Sequence, residues 1–294
     1  MTKPRAELHG ARSNTLEMPF WRSRSVPRVV VRSRRSVRAS VDSCACTVVA
    51  AMGPVGRSAF LRSMRLKVGE PSAGYPFDIA AVARLNIDFG AVTVLVGDNG
   101  TGKSTIIEAL AVAAGFNAEG GGRNLQFETL ATHSDLHHHV ELRWKQRPRW
   151  GWFLRAESFY GMATHIANDD DPRYGIKVLF PDLHGRSHGQ SFLELITSRF
   201  LTPGLYLMDE PESALSFQGQ LRLLRFIHDG AAAGAQFVLA THSPLLMRAG
   251  GATIYQFSDD GITRTDYDDL EVVNLWRRFL DSPDRILDIL YADE

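Results

Sequence analysis

Short, continuously apolar runs recur along the chain and are separated by segments with helical spacing. Val92–Val96, Leu205–Met208 and Phe237–Ala240 are such runs, and each is typical of a strand buried on both faces of a parallel sheet. The segments with helical spacing are Lys103–Ala114, Phe192–Phe200 and Leu221–His228. Because strands and helices alternate, the sequence predicts an α/β fold with a largely parallel sheet.

Three other segments also predict strands. Phe60–Val68 alternates apolar and charged residues, as in a half-exposed strand, and His139–Trp144 and Gly151–Arg155 are further candidates. The run His137-His138-His139 stands at the start of the second segment. Successive residues on a strand face opposite sides, so these three imidazoles cannot all bind one metal, and a solvated strand start is the preferred interpretation.

The N-terminal segment has a different composition from the rest of the chain. Residues 1–57 are rich in Arg and Ser, lack sustained periodicity and are predicted to form a disordered basic extension. Such an arm can bind phosphate backbones; alternatively it is a leader translated upstream of the real start, for which Met52 is a candidate. Residues 58–294 are predicted to form one folded domain.

The formal net charge of zero hides a division between these two parts. Residues 1–58 contain 11 Lys and Arg against 3 Asp and Glu, a net of +8, so the remaining residues carry −8. The acidic body lacks the broad basic footprint of a nucleic-acid-binding domain. Contact with nucleic acid would therefore have to use the extension or a local patch.

Cysteine usage and hydropathy bear on the compartment. The two cysteines, Cys44 and Cys46, both lie in the extension, and one Cys-x-Cys pair alone is weak support for zinc. The lack of a disulfide framework fits a reducing cytoplasm. No apolar run approaches the roughly 18 residues that span a bilayer. We therefore expect a cytoplasmic protein without direct membrane insertion.

A complete G-x-x-x-x-G-K-[ST] motif, the P-loop or Walker A motif, follows the first apolar run. It consists of Gly97, Asp98, Asn99, Gly100, Thr101, Gly102, Lys103 and Ser104, and Thr105 comes next on the predicted helix. Its glycines permit backbone angles closed to other residues, so loop N–H groups and the helix N-terminus can surround phosphates. We expect Lys103 to reach the β- and γ-phosphates of ATP and the Ser104 hydroxyl to ligate Mg²⁺.

Two acids end the second apolar run and form a Walker B motif. Asp209 and Glu210 follow Leu205–Met208, and Pro211 then ends the strand. Charges at the end of a buried strand need a metal or a partner. Asp209 is placed to hold Mg²⁺, directly or through water, and Glu210 to polarise the water that attacks the γ-phosphate.

Three more motifs give the chain a family resemblance. Ser187-His188-Gly189-Gln190 precedes the Walker B strand, Ser213-Ala214-Leu215-Ser216 follows it, and Ala240-Thr241-His242-Ser243-Pro244 ends the next strand. They resemble, in order, the signature loop, D-loop and switch-histidine loop of ABC-type ATPases. The chain is most similar to small stand-alone bacterial AAA/ABC ATPases of the SMC/RecF-like class. Over roughly residues 58–260, the resemblance implies a P-loop NTPase core, an antiparallel β subdomain and a helical lobe at about 158–200.

The resemblance also implies roles for individual residues. Ser187 and Gly189 would cap the γ-phosphate held by a second subunit, which implies a head-to-tail, ATP-dependent homodimer. His242 would contact the γ-phosphate and hold Glu210 and its water in place. Glu157 stands where the class has a glutamine, and it is either a ligand of Mg²⁺ or its waters or an ordinary strand-end acid.

Some other positions also matter for the resemblance. His188 and Ser216 replace a glycine and an aspartate that are usual in the class. An adenine-stacking aromatic is expected upstream of the P-loop, where Tyr75 and Phe77 are the candidates.

The sequence thus predicts an ATPase that hydrolyses ATP with Mg²⁺ and drives an unidentified partner. One alternative is a slow nucleotide-operated switch, which an intact Glu210 argues against, because a switch needs no general base. Another is the motor subunit of a transporter, which would require a separate permease. A P-loop kinase is disfavoured by the signature-like and switch-histidine loops.

Overall fold

The computed structural model describes residues 60–69, 74–122, 134–156 and 203–292. Its strands are β1 (Leu61–Leu66), β2 (Asn86–Asp88), β3 (Val92–Gly97), β4 (Gly121–Gly122), β5 (Val140–Trp144), β6 (Gly151–Arg155), β7 (Leu205–Asp209), β8 (Gln236–Ala240), β9 (Thr253–Ser258) and β10 (Gly261–Thr265). Its α-helices are α1 (Ala80–Ala83), α2 (Lys103–Ala113), α3 (Leu136–His139), α4 (Phe217–Ala232), α5 (Pro244–Met247), α6 (Glu271–Asp281) and α7 (Pro283–Ala292). Short 3₁₀ helices span Pro211–Ala214 and Tyr267–Asp269. The predicted extension, the helix at Phe192–Phe200 and the helical lobe at 158–200 lie outside the described residues.

A seven-stranded sheet forms the centre of the described region, in the order β10-β9-β3-β8-β7-β6-β4. The five strands from β9 to β6 run parallel, whereas β10 and β4 pair antiparallel at the two edges. Every residue of β7 and β8 is buried, and β3 is buried up to Gly97. Continuous burial is what the apolar runs predicted. The predicted α/β class with a mostly parallel sheet is confirmed.

Helices cover both faces of this sheet. On one face, α2 packs Ile106, Ile107 and Leu110 into a cluster with Leu95, Leu207 and Val238. On the other face, α4 packs Leu223 and Ile227 into a cluster with Tyr206, Phe237 and Leu239. Successive strand residues enter opposite clusters because side chains alternate across a strand. Because the five central strands run parallel, their carboxyl ends lie at the same edge of the sheet. The loops that follow these strands therefore meet at that edge.

A smaller antiparallel sheet, β2-β1-β5, lies beside the large one and corresponds to the predicted antiparallel subdomain. Gln236, fully buried at the start of β8, joins the two sheets. Its Oε1 accepts hydrogen bonds from the amides of Phe60 (3.2 Å) and Leu61 (2.8 Å). Its Nε2 donates to the carbonyls of Leu61 (2.8 Å) and Gly90 (2.9 Å). One buried side chain thus satisfies four backbone groups at the junction of the two sheets.

Two predicted elements differ from the observed ones. The histidine run does not start a strand: residues 136–139 form the short helix α3, and β5 begins only at Val140. The helix predicted at Leu221–His228 was too short, since α4 spans Phe217–Ala232 and begins four residues earlier. The reason is Ser216, whose side chain accepts a hydrogen bond from the Gly219 amide (3.2 Å) and caps the helix there.

The described region ends in two consecutive helices, α6 and α7. Val273 of α6 is buried, but several large apolar side chains of this pair are exposed, namely Leu275, Trp276, Phe279, Leu280, Ile289, Leu290 and Tyr291.

Among the described residues, no helix combines the length and the apolar character needed to cross a bilayer.

Candidate functional site

The loop between β3 and α2 has backbone angles that require glycine. Gly97, Gly100 and Gly102 have φ of +151°, +82° and +94°. At Gly97 the space is also closed, because an added Cβ would lie 2.5 Å from the carbonyl oxygen of Phe257 on β9. The loop can therefore turn only at a residue without a side chain, and its amides precede the N-terminus of an 11-residue helix. This arrangement favours an anion such as phosphate.

Lys103, the first residue of α2, folds back over this loop. Its side chain is buried, and Nζ donates to the carbonyl oxygens of Gly97 (2.8 Å) and Asp98 (2.7 Å). Burial lowers the pKa of Lys103 from its ordinary value, while the nearby acids Glu210, Asp209, Asp98 and Glu212 act against this shift. The ammonium group thus already lies inside the loop, where it can exchange the two carbonyls for phosphate oxygens.

Ser104 and Asp209 meet although they are far apart in the sequence. The Ser104 hydroxyl donates to Oδ1 of Asp209 at 3.2 Å. Asp209 is the last residue of β7, and its side chain is only 5% exposed. Hydroxyl and carboxylate oxygens are the ligands that Mg²⁺ prefers, so this pair fits the cation that the motif implies.

A positively charged side chain, that of Arg155, also faces Asp209. Nε of Arg155, at the end of β6, lies 3.7 Å from Oδ2 of Asp209. Arg155 also donates from Nη1 to Oε2 of Glu108 on α2, at 2.8 Å. Neither Arg155 nor Glu108 was predicted as a site residue. Arg155 ended the predicted strand Gly151–Arg155, but nothing in the sequence indicated which acids it would face.

Glu210 and His242 face each other across the carboxyl ends of β7 and β8. Oε1 of Glu210 lies 3.5 Å from Nε2 of His242, and about a third of each side chain is exposed. Glu210 has a left-handed backbone (φ 47°, ψ 50°), and no other described residue except glycine has a positive φ. Such a conformation costs on the order of 1–3 kcal/mol, and strained residues of this kind concentrate at functional sites.

Glu212, which the sequence analysis also missed, contacts the loop that carries His242. Its Oε1 accepts hydrogen bonds from the amides of His242 (2.6 Å) and Ser243 (3.2 Å). Ser243 in turn caps α5 by accepting from the amide of Leu246 at 3.3 Å. Side chains therefore hold the switch-histidine loop at His242 and Ser243.

The two aromatic candidates lie in different environments. Tyr75 is 70% exposed, and its hydroxyl lies 3.3 Å from Oγ1 of Thr105 on α2. Phe77 is half-buried and packs edge-on against His139, with ring centroids 5.0 Å apart. Tyr75 thus has an exposed ring beside the P-loop helix, whereas Phe77 is a packing residue.

Other predicted site residues have no described geometry. Ser187 and Gly189 of the signature-like loop, and Glu157, lie outside the described residues, so their roles stay predictions.

Asn99 and Thr101 line a cavity of about 590 Å³ that opens between the P-loop, His242 and α6. The outer side of the loop is therefore accessible.

Comparison with known proteins agrees with this geometry. A family model described as "AAA domain" matches residues 78–187. A second, described as "AAA domain, putative AbiEii toxin, Type IV TA system", matches residues 167–248. The first range contains the P-loop, and the second contains Asp209, Glu210 and His242.

Two curated relatives have ABC transporter names. A Streptomyces coelicolor protein named "Putative ABC transporter ATP-binding protein" is 33% identical over 173 residues, which are 54% of this chain and 30% of that protein. "ABC transporter G family member 17" of Dictyostelium discoideum is 25% identical over 235 residues, 67% of this chain and 16% of that protein. The chain thus spans less than a third of the length of either relative.

Among solved structures, the "SMC head domain from Thermotoga maritima" is similar over 70% of this chain and 99% of that chain, with 18% identity and a TM-score of 0.40. The AAA-domain matches and the ABC-type relatives agree with the resemblance that the order of motifs predicted, and the chain is therefore similar to P-loop ATPases of the ABC type.

Proposed function

We propose that the chain binds ATP with Mg²⁺ and hydrolyses its terminal phosphoanhydride bond, as an ATP-dependent homodimer that drives a partner protein still to be identified. One observation carries the proposal: the Ser104–Asp209 pair (3.2 Å) and the Glu210–His242 pair (3.5 Å) lie at the same sheet edge as the P-loop. Phosphoryl transfer to water needs a phosphate-binding loop, oxygen ligands for a cation and a general base.

Binding is assigned to the loop and the first residues of α2. The loop amides and the Lys103 ammonium would hold the β- and γ-phosphates, and the hydroxyl of Ser104 and carboxylate of Asp209 would hold Mg²⁺. Mg²⁺, when bound, would neutralise the negative charge on the β- and γ-phosphate oxygens. Tyr75, beside Thr105, would stack on the adenine ring.

Glu210 is assigned the role of general base. Its carboxylate accepts a proton from water as the water oxygen bonds to the γ-phosphorus. The bond between that phosphorus and the bridging oxygen breaks, and its electron pair leaves with ADP. His242, at 3.5 Å from the carboxylate, orients it and contacts the γ-phosphate. The left-handed backbone of Glu210 keeps the carboxylate at the strand end, beside this histidine.

The dimeric arrangement rests on the family resemblance. Ser187 and Gly189 would complete the site of a second subunit with a hydroxyl and backbone amides, which gives a two-fold pair of shared sites. Glu157 would serve Mg²⁺ or its waters.

The test is Mg²⁺-dependent phosphate release from ATP, measured with light scattering in the presence and absence of ATP. Glu210→Gln is expected to lose turnover by at least about a hundredfold, as loss of a general base does, while it keeps ATP and accumulates as a dimer. Lys103→Ala is expected to lose ATP binding. Glu141→Gln is the matched control, because Glu141 is an exposed residue of β5.

Three results would each refute a part of the proposal. Turnover in Glu210→Gln equal to that of the wild type would remove Glu210 from the chemistry. Tight ATP binding without turnover in the wild-type protein would instead favour the slow switch. A monomer at saturating ATP in Glu210→Gln would refute the shared-site dimer alone.

A further inference from the structure

Glu212 combines a specific contact with an unusual environment. It lies in the 3₁₀ helix Pro211–Ala214, two residues after Glu210. Oε1 accepts from the amides of His242 (2.6 Å) and Ser243 (3.2 Å), whereas Oε2 is buried without a hydrogen-bond partner in the part of the chain that the structure describes. Burying a carboxylate oxygen without a donor is unfavourable. The two amide contacts must therefore outweigh this cost for the geometry to persist.

The two carboxylates of this short segment act on the same histidine from different sides. Glu210 faces the imidazole, with Oε1 3.5 Å from Nε2, while Glu212 holds the backbone of the same residue. The Ser213 hydroxyl closes the turn by donating to the Glu210 carbonyl at 2.8 Å. Because a 3₁₀ turn links the two glutamates, a displacement of the His242 backbone from Glu212 also changes its distance to Glu210.

The residues on either side of His242 have contacts other than those with Glu212. The Thr241 amide donates to the carbonyl of Leu95 on β3 at 3.1 Å. After His242, the Ser243 hydroxyl donates to Oε1 of Gln220 on α4 at 2.6 Å. His242 thus lies between two fixed neighbours, and among the described contacts its own amide is held by Glu212 alone.

We propose that Glu212 is a positioning residue, which holds the His242 backbone so that the imidazole keeps its distance from Glu210. This inference rests on the proposed function. Charged acceptors form hydrogen bonds roughly twice as strong as neutral ones, so the carboxylate suits this task. Displacement of a reacting group by about 1 Å can reduce the rate by about a hundredfold.

Three variants separate positioning from general stability. Glu212→Ala removes both amide contacts and is expected to lower kcat about 10- to 100-fold with little change in KM. Glu212→Gln keeps an acceptor oxygen for the amides and is expected to recover most of the loss. Glu212→Ala in a His242→Ala background is expected to cause no further loss, because the residue acts through His242. Glu141→Ala is the surface control.

Amide hydrogen exchange gives a readout that does not depend on turnover. In Glu212→Ala, the amide of His242 is expected to exchange at least about tenfold faster than in the wild type, with Glu212→Gln in between. The Ser243 amide is expected to change less, because it also donates to Oγ1 of Thr241 at 3.0 Å. If the wild type hydrolyses no ATP, the proposed function fails, and unchanged exchange in Glu212→Ala would separately overturn the contact itself. The proposal is also overturned if Glu212→Ala lowers kcat by the same factor whether or not His242 is present.

Discussion

Gly97→Ala is the substitution for which the structure predicts the clearest effect on stability. Gly97 ends β3, pairs with Phe257 of β9 and has a φ of +151°. A Cβ added at Gly97 would lie 2.5 Å from the carbonyl oxygen of Phe257 and 2.9 Å from the Cβ of Phe257. Neither contact can be relieved by rotating a flexible side chain, so the two strands would have to separate next to the P-loop.

The magnitude follows from two separate costs. A positive φ costs a residue other than glycine about 1–3 kcal/mol, and forcing extra atoms into a packed site costs about 1–3 kcal/mol. We therefore expect Gly97→Ala to lower the free energy of unfolding by about 2–6 kcal/mol. Gly100→Ala is the matched control, because Gly100 has a φ of +82° but no atom within 4 Å of an added Cβ. It should show only the first cost.

Urea denaturation followed by tryptophan fluorescence measures this difference, because Trp152 on β6 is buried in the core. The midpoint of Gly97→Ala should lie below that of Gly100→Ala at an unchanged m-value. Equal midpoints for the two variants would show that β3 and β9 separate at Phe257 without cost. That result would refute the close-approach argument, whatever happened to ATP binding.

Two further predictions concern the walls of the site. A double-mutant cycle with Arg155→Gln and Glu108→Gln can be measured by urea denaturation. It should give a coupling energy of about 1–3 kcal/mol, because both side chains are largely buried and 2.8 Å apart. Additive effects of the two substitutions would show that the pair is not coupled. Tyr75→Ala should weaken binding of a fluorescent ATP analogue about three- to tenfold through loss of aromatic stacking, whereas Phe77→Leu should mainly lower the melting temperature. Weaker binding in Phe77→Leu but not in Tyr75→Ala would reverse the assignment.

The parallel core of the fold could be predicted from the sequence, because its strands carry strong local signals. Val92–Val96, Leu205–Met208 and Phe237–Ala240 each differ from the observed strand by one residue at one end. Full burial requires apolar side chains on both faces, which leaves little ambiguity. By contrast, β4 consists of Gly121 and Gly122 and pairs with β6 through its backbone alone, so no side-chain pattern could reveal it.

The same distinction applies to the site. Lys103, Ser104, Asp209, Glu210 and His242 could be predicted because each belongs to a motif with fixed spacing. Their supporting side chains could not be, since Arg155, Glu108 and Glu212 act on residues that are distant in the sequence. A contact such as Ser104–Asp209 was expected from two motifs, whereas Arg155–Asp209 depends on strand order, which no local pattern specifies.

The order of synthesis determines when the hydrogen bonds between Gln236 and β1 can form. Leu61 and Gln236 are 175 residues apart, so β1 is translated long before the side chain that joins it to the large sheet. At about 5–20 residues per second, the interval on the ribosome is about 9–35 s. During this time β1 can pair with β2 and β5, which are translated earlier than β8. The small sheet can therefore form first, and its junction with the large sheet closes only when Gln236 has emerged and can bond to Phe60 and Leu61.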